Sequence, residues 1–166
     1  MDIENSVSTY TMDKKKLEFC GEGEWMTEPD NVCFIYREYI CKIRRLFVLE
    51  FNSEEKEVYF GGYLCGYVRI PSEHHLHHKK FEDMKIDCHF GLTFGEVSNG
   101  HWIGFDCAHL GDIVPSLEKW KENEPIIVQD IKKYKKDKKI KHTYKNIDFC
   151  KKQCKNIVDQ LIKLEE

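Results

Sequence analysis

The sequence predicts an α+β fold, a single antiparallel-rich sheet packed against a C-terminal helix, and three observations carry that expectation. Residues 31–70 are dense in β-branched and aromatic types, as strands require. A second strand-rich block, 84–108, folds about Ser98-Asn99-Gly100, a hairpin turn sequence. From Asn146 onward apolar residues recur at steps of three and four, the period of a half-buried helix. Strands followed by one terminal helix place that helix over one face of the sheet.

Taken in order, the first 16 residues, ending in Lys14, Lys15 and Lys16, lack apolar periodicity and read as a flexible N-terminal arm. Residues 17–166 then form one domain, for which 41% hydrophobic residues supply a core. Within 31–70, VCFIYREYICKIRRLFVLEF and VYFGGYLCGYVRI read as three or four strands with turns at Asn52–Glu55 and Gly61-Gly62. Segment 40–51 also admits a helix, because Ile43, Phe47 and Leu49 do not decide between periods. KIDCHFGLTFGEV and HWIGFDCAH read as a strand pair that brings His89 beside Cys107 or His109. Phe90, Phe94, Trp102 and Phe105 are expected to fill the core rather than to form a base-stacking surface. The lysine-rich stretch 131–145 reads as a solvated connection, with a phosphate-binding arm as the sharper alternative. Ile147, Cys150, Cys154, Ile157, Val158, Leu161 and Leu164 make the stripe of the last helix.

A formal charge of -3, spread over both signs, gives no general pull toward nucleic acid or an anionic membrane. No stretch approaches the roughly 20 apolar residues of a membrane span, and residues 1–16 lack the apolar middle of a signal peptide. A soluble cytoplasmic protein is expected, its eight cysteines mostly reduced.

Seven of the eight histidines lie between His74 and His109. The tract EHHLHHKK (His74, His75, His77 and His78) resembles a metal-binding tract in composition alone, with His74 its best candidate. Cys88 and His89, then Asp106, Cys107, His109 and Asp112, form a sharper group. His89, Cys107 and His109 would make a three-ligand site for zinc or another divalent metal, Asp106 or Asp112 acting as base or orienting a histidine. Without metal, Cys107 would be the nucleophile, His89 or His109 its base, and Asp106 or Asp112 the orienting carboxylate. A purely structural role for the same residues stays open: Cys107 as a small buried hydrophobe, His109 and Asp112 as caps of the following turn, and Asp106 bonded to local backbone N–H groups. Trp25, Glu28 and Asp30, in the turn-forming GEWMTEPD, carry carboxylates that could reach this group.

The segments EWMTEPD, GYVRIPSEHHLHH, DCHFGLTF and HWIGFDCAHLGD, followed by a helix with QLIKLEE, resemble a group of small bacteriophage and prophage proteins. That group has the form W-x-x-E-P-D, G-Y-V near a histidine, H-G-G-L-T-[YF] and G-F-D-C-A-H-x-G-D. Carried over, the pattern singles out Trp25, Glu28, Pro29, Asp30, His74, His89, Gly91, Thr93, Asp106, Cys107, His109 and Asp112. The chain departs at Phe90, where the pattern has glycine, and in a longer tract 40–58. The resemblance implies an accessory protein in the bacterial host cytoplasm, working against host defence. Two activities follow as expectations: hydrolysis of a nucleotide-like or phosphorylated molecule, or non-enzymatic binding that sequesters a nucleotide signal or inhibits a host defence protein. A homo-oligomer would suit the second, because a pocket can form between subunits.

Overall fold

The computed structural model describes residues 5–10, 13–53, 56–120, 126–135 and 140–165. The strands β1 (Asn5–Tyr10), β2 (Asn31–Tyr36), β3 (Tyr39–Ser53), β4 (Lys56–Ile70), β5 (Phe94–Glu96) and β6 (His101–Asp106) form one antiparallel sheet, in the order β1-β2-β3-β4-β6-β5. The helices are α1 (Asp13–Cys20), α2 (Pro115–Glu118), α3 (Ile126–Lys135) and α4 (Ile147–Glu165). The class is therefore α+β, as the sequence predicts, and no helix among the described residues is long and apolar enough to cross a membrane.

The core lies between the sheet and α4. Alternation turns Cys41 and Ile43 of β3, Leu64, Val68 and Ile70 of β4, and Ile103 and Phe105 of β6 to one face. Against them pack Ile147, Cys150, Cys154, Ile157, Val158 and Leu161 of α4. Each large side chain buried there contributes about 1.5–3 kcal/mol. A smaller cluster, Val114, Leu117 and Val128 with Phe60 and Tyr63, closes the other face at one end of β4.

Several expectations are corrected. Within the first 16 residues, expected as an arm, 5–10 pair with β2 and Lys16 is fully buried in α1, while 1–4 and 11–12 fall outside the described residues. Edge pairing needs hydrogen bonds and no apolar pattern, which is why periodicity did not reveal it. Segment 40–51 is strand throughout, and the turn expected at Asn52–Glu55 falls partly outside the described residues. Gly61-Gly62 is no turn: the register slips between Leu46↔Tyr63 and Phe47↔Gly61, leaving Gly62 as a bulge within β4 at φ 81°. A Cβ at Gly62 would overlap the Cys20 sulfur.

Residues 84–93 form a loop, and only Phe94–Glu96 pairs with β6. Of the four aromatics expected in the core, Phe105 alone is there; Phe90 is 64% and Phe94 37% exposed, and Trp102 is half-buried on the opposite face. Leu164, one turn beyond the packed stripe, is exposed. In the lysine-rich stretch, 131–135 lie in α3 and 136–139 fall outside the described residues. The rest is docked rather than solvated: the Thr143 N–H donates to the Gly111 carbonyl at 2.9 Å, and the Ile113 N–H to the Thr143 carbonyl at 3.0 Å.

Candidate functional site

The loop 84–93 runs along α4 in extended form, and side chains of α4 satisfy its backbone. The Asp87 N–H donates to Gln160 Oε1 at 2.7 Å, and Gln160 Nε2 and Asn156 Nδ2 donate to the Asp87 carbonyl at 2.7 and 2.9 Å. The His89 N–H donates to Gln153 Oε1 at 2.9 Å. Cys88 points into the core, so His89 faces the other way. The chain then turns sharply, Phe90 at φ 55° and Gly91 at φ 86°, closed by a 2.9 Å bond from the Gly91 N–H to the Cys88 carbonyl.

This turn sets His89 against the segment that follows β6. His89 Nε2 lies 2.8 Å from Asp112 Oδ2, and the His109 N–H donates to the same oxygen at 3.0 Å. Asp112 is 1% exposed, and Lys145 Nζ stands 3.6 Å from its Oδ1 and also bonds Thr143 Oγ1. A carboxylate only accepts, so His89 Nε2 carries a proton, and in the neutral ring the lone pair is on Nδ1. Nδ1 makes no hydrogen bond with the described residues. Asp106 lies beside the second histidine: its Oδ1 is 3.5 Å from His109 Nε2, without a hydrogen bond between them, and accepts from the Ala108 N–H at 3.0 Å. Around these polar groups stand rings. Phe90 stacks on His109 at 4.6 Å between centroids, and Phe149 meets His89 edge-on at 5.1 Å. His89 and His109 themselves are 5.7 Å apart, the proximity expected from the Ser98-Asn99-Gly100 turn.

Cys107 stands apart from this group. It is 1% exposed, its sulfur is 3.8 Å from that of Cys150, and contact with that second thiol together with burial pushes its pKa strongly upward. A thiol so held is protonated at neutral pH, and both a nucleophile and a zinc ligand need the thiolate. Among the described residues no three His, Cys, Asp or Glu side chains converge as the ligands of a metal do, so the set His89, Cys107 and His109 is not assembled.

The remaining candidates lie elsewhere. Asp30, 0% exposed, takes Arg45 Nε at 2.6 Å and lies 3.4 Å from Lys16 Nζ. Glu28 accepts from Tyr144 at 2.6 Å, from Arg45 at 3.2 Å and from the Ile147 N–H at 2.9 Å, which caps the start of α4. Trp25 donates to the Gly21 carbonyl and packs edge-on against Tyr144. These three are thus fold contacts, Trp25 and Asp30 buried and Glu28 half-buried, and Glu28 bonds the 144–147 segment that delivers Lys145. His74 is 2% exposed and spent on the backbone: Nε2 bonds the Leu161 carbonyl at 3.1 Å and Nδ1 accepts from the Leu76 N–H at 3.0 Å. Thr93 is exposed beside β5, its N–H bonded to the Gly104 carbonyl at 2.9 Å.

Lys145 and Phe149 were missed. Lys145 is one of many lysines in its run, and Phe149 sits one residue off the helix stripe, a position that carries no signal of its own. Comparison with protein-family models, curated proteins and solved structures finds no match for the chain.

Proposed function

We propose that the chain is a phage-type accessory protein that hydrolyses a nucleotide-like or phosphorylated molecule of the host, water being the nucleophile. The observation that carries this reading is the 2.8 Å contact between His89 Nε2 and the buried Asp112 carboxylate. It fixes the tautomer and orients the ring, leaving Nδ1 as a base toward solvent, an arrangement that general-base catalysis requires. In this reading Nδ1 takes a proton from water as the water attacks. His109, with Asp106 3.5 Å from its Nε2, returns a proton to the leaving group. Lys145 beside Asp112 offsets its negative charge, and Phe90 stacked on His109 receives a flat ring.

The test is incubation with a panel of linear and cyclic nucleotides in molar excess, products being separated by chromatography. His89→Ala and Asp112→Asn should each slow turnover about 10²–10⁴-fold while circular dichroism and the melting temperature stay near wild type. A sequestering binder is the second reading, favoured by the exposed Phe90 ring. It predicts stoichiometric capture without product, and that outcome from folded wild-type protein overturns hydrolysis.

A further inference from the structure

The sheet face turned away from α4 falls into three cross-strand rows over β3, β4, β6 and β5. Lys42, Tyr67, Gly104 and Phe94 lie side by side in one row, Arg69, Trp102 and Glu96 in the next, and Arg44, Cys65 and Asp106 in the third. Among the described residues, this face is covered at the end of β4, where Tyr63 meets the small cluster of Val114, Leu117 and Val128, and as far as Cys65, which is buried. Beyond it Arg44, Arg69 and Phe94 are exposed, and Lys42, Tyr67 and Trp102 are half-buried. A solvated face of an antiparallel sheet ordinarily alternates to polar residues, so three rings among three cations call for an occupant.

The rings are fixed in place. Tyr67 and Phe94 meet edge to face at 5.2 Å across Gly104, where a Cβ would come within 2.7 Å of the Tyr67 ring. Trp102 Nε1 donates to the Asn99 carbonyl at 3.3 Å, and Lys42 Nζ stands 4.3 Å from the Trp102 ring centroid. Strands are about 5 Å apart, so rings on β4, β6 and β5 spread over roughly 10 Å, the reach of two or three bases on an open sheet.

We propose that this face binds single-stranded nucleic acid, with bases stacked on Tyr67, Trp102 and Phe94 and phosphates at Lys42, Arg44 and Arg69. Charge complementarity selects this occupant: cations interleaved with flat rings match a polyanion with free π faces, and a duplex offers no such faces. Glu96 and Asp106 border the patch and repel phosphate, which sets the backbone along the β3 side. The face is separate from His89, so this inference does not depend on hydrolysis there.

The experiment is fluorescence anisotropy with end-labelled DNA and RNA single strands about ten nucleotides long, and the duplex of the same sequence. Single strands of either sugar should bind at least tenfold tighter than the duplex. Trp102→Ala and Tyr67→Ala should each weaken binding about tenfold, with Tyr67→Phe, which keeps the ring, close to wild type. The salt slope, about −2 for three phosphates, should flatten in Arg44→Glu/Arg69→Glu. His89→Ala should bind as wild type, so the two readings fail separately. No binding to any single strand at low salt, equal binding to duplex, or undiminished binding by folded Trp102→Ala and Arg44→Glu/Arg69→Glu would overturn the proposal.

Discussion

A phenylalanine at φ 55° costs about 1–3 kcal/mol of backbone strain, and the Phe90 ring, 64% exposed, offsets little of it by burial. Glycine is the residue that adopts this left-handed backbone freely. This chain keeps a ring there, stacked on His109. Phe90→Gly should therefore leave the melting temperature within about 3 °C of wild type, since relief of strain offsets the lost contact. In the same variant KM for the hydrolysed nucleotide should rise about tenfold. A melting temperature that drops steeply with KM unchanged would make the ring a fold contact. At this scale the sequence showed which polar residues gather, because GFDCAHLGD holds Asp106, His109 and Asp112 within one turn of each other. Cys107 continues the alternation of Ile103 and Phe105 into the core; what the pattern could not show is that it stops there, before His109.

Among the elements, residues 84–88 show what a period of two means. Met84, Ile86 and Cys88 are buried while Lys85 and Asp87 are exposed, the alternation of a strand. Yet the backbone hydrogen bonds described for Asp87 and His89 go to Gln153, Asn156 and Gln160 of α4. Alternation reports an extended, half-buried chain; the bonding partner is a separate matter. The histidine tract carries a pH dependence of its own. The His78 N–H donates to His101 Nδ1 at 2.9 Å, which requires His101 neutral, and His77 stacks edge-on at 5.4 Å from His101. Burial lowers the pKa of His101, with help from the charges of His77 and His78, and loss of hydration lowers that of His77. Because both folded values lie below the ordinary 6.5, this docking is fully stabilising above pH 6.5 and is lost as pH falls through the depressed values. Hydrogen exchange at the His78 amide should accelerate on acidification below that point, and His101→Gln should abolish the pH dependence. Protection that stays constant down to pH 5 would refute the idea.

For the molecule as a whole, segments far apart in sequence meet at Glu28, with Asp30 beside it. Two carboxylates face two cations, Lys16 and Arg45, so the buried group is neutral as a set and unbalanced once any member goes. Removing one partner of such a group costs about 3–5 kcal/mol, because a charge is left in the core. Asp30→Ala should lower the melting temperature by roughly 10 °C and shift the urea midpoint accordingly; a shift under 2 °C would show that Lys16 and Arg45 reach water. The sheet-and-helix architecture was legible because hydrophobic period survives in any packed layer. This group was not, since charged residues far apart in sequence give no local pattern.

The bonds from Glu28 to Tyr144 and Ile147 join residues separated by 116 and 119 positions. Contacts of that span carry the loop-closure cost of more than a hundred residues, so they are expected to form late in folding. They add little to the speed at which the chain reaches its native state and much to the time it stays there. The W-x-x-E-P-D turn is, in kinetic terms, a latch: it sets the lifetime of the segment that carries Lys145 to Asp112.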